Sequence, residues 1–216
     1  MPPQADPART RDAEATRARL LQAATEEFAA RGIAGARVDR IGTRAKANKA
    51  LIYTHFGNKE QLFDAVMDAH VTRVLDEVPF APEDLPGYAG RLFDFLLANP
   101  HQLRLATWHR LERSSTGHEP DGLRASMRQK THAITEAQNG GQVPAAFTPE
   151  DLLVFTLALA SAWMPTSPMA TTGQDVGRHR AAVVEAVRRL VSEETSARTG
   201  AVPDPAKKNG EPRTEI

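Results

Sequence analysis

The chain has 216 residues, enough for one or two compact units with a hydrophobic core. Its 27 basic and 27 acidic side chains give a formal net charge of zero, so total charge does not identify a partner. The absence of cysteine excludes disulfides, cysteine-ligated zinc and thiol nucleophiles, and it favours a reducing, cytoplasmic location. The N-terminus lacks the apolar core of a signal peptide, and the longest apolar run, 152–164, is too short to cross a bilayer.

Helical periodicity dominates the chain and no segment alternates as a strand does, so the pattern predicts an all-α fold. Leu20 or Leu21, Ala24 and Phe28 form an apolar stripe on a first helix, and Gly32 is expected to end that helix. The predicted helices cover, in chain order, about 13–31, 38–45, 48–55, 58–78, 85–98, 100–113, 121–138, 149–164 and 175–194.

The ends of several elements carry their own signals. Asn58 is a favoured residue type for capping the fourth helix. Thr148 followed by Pro149 predicts the start of another helix, because proline suits the first helical position. Both ends of the chain are rich in proline, glycine and charge, which predicts a disordered arm over 1–12 and a disordered tail over 196–216.

Positive charge is concentrated in residues 31–59. This segment holds seven cationic side chains against the single carboxylate of Asp39, a local net charge of +6 within a neutral chain. Such local concentration predicts a surface that faces phosphate groups. The cations are Arg31, Arg37, Arg40, Arg44, Lys46, Lys49 and Lys59.

Two short helices, a tight turn and a cationic surface are typical of a helix-turn-helix. The first helix of such a pair lies across the DNA backbone, and the second enters the major groove. The apolar positions would hold these short helices against the first helix of the chain. The residues predicted to face inward are Val38, Ile41, Ala45, Ile52 and Phe56.

The segment VDRIGTRAKANKALIYTHFGNKEQLFDAV, residues 38–66, resembles the DNA-binding domain of the TetR (tetracycline-repressor) family. The resemblance covers about residues 14–66 and implies a three-helix helix-turn-helix domain at 13–66, with the fourth helix continuing to about 78 as a connector. It further implies a helical-bundle ligand-binding and dimerisation domain at 80–195. The matching positions are Ile41, Ala45, Ile52, Tyr53, His55, Phe56, Asn58, Lys59, Glu60 and Leu62.

Three positions depart from the family pattern. Lys46 stands where the family has its turn glycine, and a left-handed backbone there would cost a non-glycine residue about 1–2 kcal/mol. Arg37 replaces the usual Ser/Thr cap of the first short helix. Leu51 replaces a small or hydroxyl residue, so it offers DNA only an apolar contact, such as one to a thymine methyl.

The resemblance implies phosphate contacts near the second short helix. Lys59, at the start of the fourth helix, is expected to bind a phosphate together with nearby backbone amides. Tyr53 and His55 resemble the phosphate-contacting pair of the family, although Tyr53 is also suited to half-buried packing. Asn48 is suited either to capping the recognition helix or to reading adenine, and its position favours capping.

The stripe of arginines gives further candidates. Arg37, Arg40 and Arg44 follow a spacing of i, i+3, i+7 and therefore share one face of the backbone-crossing helix. An ordinary solvated face is the alternative interpretation. Lys49 and Thr54 are the remaining candidates for base or phosphate contact.

The rest of the chain is predicted to dimerise and to bind an effector. The family resemblance implies that the helices at 149–164 and 175–194 form a four-helix bundle between two subunits. Aromatic and methionine side chains suit an adaptable apolar ligand site, with burial in an ordinary core as the alternative. The candidate effector residues are Phe93, Trp108, His109, Met127, His132, Phe155, Trp163 and Met164.

The predicted function is a ligand-responsive transcriptional regulator, a repressor, that binds a near-palindromic double-stranded DNA operator as a homodimer. Its effector would be a small, largely apolar molecule whose binding releases the operator. The alternative is a helical DNA-binding regulator without a small-molecule effector, either constitutive or controlled by a protein partner. No catalytic, metal-binding or cofactor motif is present, so neither an enzyme, a cofactor nor a membrane partner is predicted.

Overall fold

The computed structural model describes residues 7–113, 119–165, 167 and 175–192. These residues form helices and connecting loops without a strand, which confirms the all-α fold. A short 3-10 turn at Pro82–Asp84 precedes the fifth helix. The helices are α1 (Pro7–Gly35), α2 (Val38–Ala45), α3 (Lys49–Phe56), α4 (Lys59–Glu77), α5 (Leu85–Ala98), α6 (Pro100–Arg113), α7 (Asp121–Asn139), α8 (Pro149–Ala160) and α9 (Val176–Leu190).

The boundaries of α2 to α7 agree with the predicted ones to within one residue. The start of α1 differs, because residues 7–12, predicted to belong to a disordered arm, are helical. Helix α8 also ends earlier than predicted. There the Ser161 hydroxyl donates to the carbonyl oxygens of Leu157 and Ala158, and this local bonding competes with helix continuation. Residues 1–6 and the predicted tail at 196–216 lie outside the described residues.

The first hydrophobic core is formed mainly by the four helices α1, α2, α3 and α4. The rings of Phe28 and Phe63 pack edge to face at its centre, with centroids 5.1 Å apart. Leu20 is fully buried, whereas Leu21 is only partly buried. The predicted inward positions are all buried, so the two short helices are held by the apolar pattern read from the sequence: Val38, Ile41, Ala45, Ile52 and Phe56.

A second hydrophobic core fills the remaining bundle. Helix α5 is central to it, since it packs against both α8 and α9. Tyr88 and Phe93 of α5 are buried there beside Ile134 of α7 and Val183 of α9. Phe93, a predicted effector residue, is a member of this core.

The predicted helix starts are confirmed by their hydrogen bonds. In each case the cap side chain accepts the backbone N–H three residues further along, which satisfies one of the free amides of a helix start. The acceptor distances are 2.8, 2.8 and 3.1 Å for Asn48, Asn58 and Thr148 respectively.

The turn between α2 and α3 depends on two backbone features. Lys46 has a left-handed conformation, with φ of 53° and ψ of 44°, as the family glycine at this position would. The Ala47 N–H donates to the Gly42 carbonyl oxygen at 2.9 Å, which brings the turn close to α2. A Cβ at Gly42 would lie only 2.7 Å from the Ala47 carbonyl oxygen.

Replacing Gly42 by alanine is therefore expected to destabilise the protein by about 1–3 kcal/mol, because the turn has to move away from the new methyl group. Urea unfolding measures this change. Gly35→Ala is the matched control, since its Cβ would make only an ordinary contact, 3.5 Å from Arg31 Cβ. Equal stability of the two variants would contradict the close approach.

Candidate nucleic-acid interface and ligand cavity

Helix α3 has one buried and one exposed face. Ile52 and Phe56 point into the core, whereas Tyr53 remains 41% exposed despite its size. The exposed or half-exposed face contains the other predicted contact residues of this helix, and it has no contact with the second core. These residues are Lys49, Leu51, Thr54 and His55.

The arginines of α2 differ in what their side chains contact. Arg40 forms an ion pair with the buried carboxylate of Glu27, with 2.6 Å between Nη2 and Oε1. The backbone N–H of Arg37 donates to the same oxygen at 3.2 Å. Burial by itself raises the pKa of Glu27, but the hydrogen bonds from Arg40 and Arg37 outweigh it and leave the pKa below the usual value. Arg40 therefore holds α2 on α1.

Two further predicted contacts carry surface ion pairs. Arg44 lies 3.4 Å from Glu26, and Lys49 lies 3.4 Å from Asp39. Both pairs are well exposed, so they are weak and leave the cations available to phosphate. The exposed guanidinium of Arg37, in contrast, forms no ion pair within the described part of the chain.

Lys46 was counted among the cations of segment 31–59, but it was not among the individually predicted DNA contacts. It is exposed at the turn, with no ion pair to any described carboxylate. The left-handed backbone of Lys46 ends α2 and places this residue in the turn before α3. Lys59, half-buried at the start of α4, donates from Nζ to the Ala34 carbonyl oxygen at 3.4 Å. The side chain of Lys59 therefore contacts the end of α1 as well as the predicted phosphate surface.

Helix α6 attaches the bundle to the N-terminal helices α1 to α4 at a break in α1. Gly32 has a φ of 70°, which interrupts the helix and frees the next amides. The Glu112 carboxylate accepts the N–H groups of Ile33 and Ala34 at 3.1 and 2.7 Å. Trp108 covers Gly32, and its Nε1 donates to the Ala29 carbonyl oxygen at 3.3 Å.

The neighbouring turn of α6 contacts α4. His109 stacks on Phe63 with centroids 6.3 Å apart, and Arg113 is ion-paired with both Glu60 and Asp64. Trp108 and His109, predicted to line an effector cavity, therefore lie at the junction of the two cores. Both side chains face α1 and α4 and not the cavity.

A cavity of about 190 Å³ lies inside the bundle, between α4, α5, α6, α7 and α8. Of the eight predicted effector residues, Met127 alone is among the described residues of its wall. The wall is formed by His70, Val71, Val74, Tyr88, Leu92, Leu96, Leu103, Ala106, Thr107, Arg110, Leu123, Ser126, Met127, Lys130, Leu157 and Ser161.

The other predicted effector residues lie elsewhere. Met164 is buried in the second core, and Trp163 stacks on His179 with centroids 4.8 Å apart. Phe155 is 38% exposed and packs edge to face on Phe147. His132 is exposed on α7. None of these side chains lines the cavity, and Trp163 and Met164 lie beyond the end of α8.

The polar residues of the cavity wall were missed by the sequence interpretation. Desolvation lowers the pKa of His70 to about 4 and raises that of the Tyr88 phenol to about 12. It also lowers the pKa of Lys130, which is only 4% exposed. Ser126, Lys130 and Ile134 are spaced four residues apart and are all buried on one face of α7. A lysine on the buried face of a helix is the sequence feature that could have identified this position.

No described helix is long and apolar enough to cross a membrane. Within the described part of the chain, no group of histidine and carboxylate side chains has the arrangement of a metal site.

The compact pair α2 and α3, with a cationic exposed surface joined to a helical bundle, defines a helix-turn-helix regulator. Comparison with known proteins agrees. A family model described as bacterial regulatory proteins, tetR family, matches residues 20–66, and one described as tetracyclin repressor-like, C-terminal domain, matches residues 84–189. The chain belongs to the TetR family of transcriptional regulators.

Individual relatives match over most of the chain. The HTH-type transcriptional repressor SCO4008 of Streptomyces coelicolor is 38% identical over 189 residues, which are 84% of this chain and 97% of the relative. The HTH-type transcriptional repressor NicS of Pseudomonas putida is 26% identical over 147 residues, 64% of this chain and 69% of the relative. The crystal structure of the transcriptional regulator SCO4942 of Streptomyces coelicolor has a TM-score of 0.71 at 38% identity, covering 81% of this chain and 97% of that one.

The lowered pKa of His70 predicts a stability that depends on pH. The folded state binds the His70 proton near pH 4 and the unfolded chain near 6.5, so stability is complete above pH 6.5 and is lost as the pH falls through that range. Between pH 7 and pH 5 the expected contribution is a loss of about 2 kcal/mol. Urea unfolding at both pH values measures it.

His70→Gln is expected to remove this part of the pH dependence, whereas His132→Gln, at an exposed position of α7, is expected to keep it. The same pH dependence in wild type and His70→Gln would contradict a buried, neutral His70.

Proposed function

We propose that this protein is a ligand-responsive repressor that binds a near-palindromic DNA operator as a homodimer. The observation that carries the proposal is that one helix, α6, both lines the cavity and binds the DNA-reading helices. Relatives named as transcriptional repressors support the direction of regulation. A repressor acts where the DNA lies, so the proposal includes a cytoplasmic location.

The DNA interface of the proposal is the exposed surface of α2, α3 and the start of α4. Phosphate contacts come from Arg37, Arg44, Lys46 and Lys59, together with Tyr53 and His55. Lys49, Leu51 and Thr54 face the groove, where Leu51 offers only apolar contact. Asn48 serves α3 as its cap, because its side-chain oxygen already accepts the Leu51 N–H.

The dimer interface of the proposal is formed by α8 and α9. Val154 of α8 and Val176 of α9 are 59% and 45% exposed in the single chain, and Phe155 beside Val154 is also exposed. Exposed apolar side chains on two helices that pack together support an interface at these helices. A two-fold dimer would present two copies of α3 to half-sites one DNA turn, about 34–36 Å, apart.

Coupling in the proposal passes through α6. Its Leu103, Ala106, Thr107 and Arg110 line the cavity, whereas Trp108 and Glu112 of the same helix contact α1 at its break. A ligand that binds better to one position of α6 changes the spacing of the two reading helices. Its effect on operator affinity cannot exceed this difference in binding free energy.

Selection of bound sequences from random double-stranded DNA tests the proposal directly. A palindrome with half-site centres about one turn apart is the expected result. The absence of any enriched sequence at low salt would contradict it.

The two roles assigned to the arginines of α2 predict opposite effects. Arg37→Ala is expected to leave unfolding unchanged and to reduce the slope of log affinity against log salt by about 0.9 for each lost phosphate contact. Arg40→Ala is expected to destabilise the fold by about 1–3 kcal/mol, because Glu27 loses its charged hydrogen-bond donor. Urea unfolding and operator titrations over a range of salt measure both. The reverse pattern would contradict the assignment.

The dimer interface predicts that Val154→Asp yields a monomer, since a carboxylate would be buried between the apolar surfaces of two subunits. Leu111→Asp is the matched control, because Leu111 is also an exposed apolar residue, at 69%, but lies on α6. Light scattering after size-exclusion chromatography measures the mass. A Val154→Asp variant that keeps the wild-type mass would exclude this surface as the interface.

A further inference from the structure

Lys130 of α7 is a buried cation on the wall of the cavity. It is 4% exposed, and no ion pair links it to a described carboxylate. Its ammonium nitrogen lies 5.6 Å from the centroid of the Tyr88 ring and 5.9 Å from that of Phe80. Ring faces offset part of the cost of burying a charge, but a buried ammonium is ordinarily paired with an anion.

One other polar group of the wall is also unpartnered. The Tyr88 hydroxyl is buried without a hydrogen bond to the described residues. The phenol of Tyr88 keeps its proton at ordinary pH, because desolvation raises its pKa to about 12, so the hydroxyl is available as a donor. Buried polar atoms without partners in a cavity wall indicate a site for a ligand atom that accepts hydrogen bonds.

The charge of the cavity wall determines which charge the ligand carries. Lys130 and Arg110 are its charged side chains, and its sixteen described residues include no aspartate or glutamate. A cation in the cavity would be repelled by Lys130 and would find no carboxylate to pair with. An anion would instead supply the missing partner of Lys130.

The remainder of the wall is apolar. Leu92 and Leu96 of α5, Leu103 of α6, Met127 of α7 and Leu157 of α8 surround the polar groups. Such a wall suits a hydrocarbon or aromatic body, and the cavity volume of about 190 Å³ fits a small one.

We infer that the effector is a small apolar monocarboxylate, whose carboxylate pairs with the Lys130 ammonium and accepts a hydrogen bond from the Tyr88 hydroxyl. This inference rests on the proposed function, because it names the chemical class of the molecule that would release the operator. The burial of Lys130 then costs stability in the free protein, and the ligand recovers that cost when it binds.

Isothermal titration calorimetry of the full-length protein tests the inference with matched probes. The probes are 3-phenylpropanoate and octanoate, the amides of the same two acids, and the cation 3-phenylpropylamine. Each carboxylate is expected to bind about tenfold or more tightly than its amide, because a charged hydrogen-bonded pair is lost with the charge. The amine is expected to bind most weakly of all.

Substitutions test whether Lys130 is responsible for the preference for the carboxylate. Lys130→Met is expected to weaken carboxylate binding about tenfold or more while changing amide binding little, and Lys130→Arg is expected to retain the preference for the acid. Arg128→Met is the matched control, since it removes an exposed cation from the same helix. Thermal melting establishes that each variant is folded, and Tyr88→Phe serves as a second variant expected to weaken carboxylate binding.

The inference is overturned if an amide or the amine binds wild type as tightly as the carboxylate, or if no probe binds. It is also overturned if folded Lys130→Met keeps the preference for the carboxylate. The proposed function is judged separately by the DNA selection. An enriched palindrome together with any of these failures would remove the anionic effector and leave the DNA-binding regulator in place.

Discussion

The carboxylate of Glu112 is the contact on which the two halves of this molecule depend. It accepts two amides that are free only because Gly32 interrupts α1, and it does so at the end of a helix whose preceding turns line the cavity. Charged hydrogen bonds to the start of a helical turn are among the stronger single contacts in a protein. The break in α1 therefore serves as an attachment point for the bundle, and the proposed coupling of ligand to DNA would pass through it.

Much of the fold could be predicted from local signals. The apolar spacing of α2 and α3, with Ile41 and Ile52 inward, places both helices, and the cap residues mark where α3 and α4 begin. These features depend on residues a few positions apart, which is the range over which a sequence pattern reports on structure. The backbone at Lys46 was left open by the sequence, because a left-handed conformation costs a non-glycine residue about 1–2 kcal/mol, and the structure shows that the turn keeps this conformation.

The division of the cationic surface could not be predicted in the same way. Arg37 and Arg40 look equivalent in the sequence, yet Glu27 of the preceding helix binds the side chain of one and only the backbone of the other. The cavity is a similar case. Residue type suggested Trp108 and Phe93, but helix packing decides which side chains meet, and it brings together Lys130, Tyr88 and His70 from three separate helices.

The position of Trp108 makes its intrinsic fluorescence a probe of the contact between α6 and α1. The chain has two tryptophans, and the indole of Trp108 lies over Gly32 with its N–H bonded to the backbone of α1. Trp163 stacks on His179 within the bundle, where an imidazole ring lies against its face. Trp108 therefore lies in the contact between the bundle and α1, and a change in that contact is expected to change its fluorescence emission.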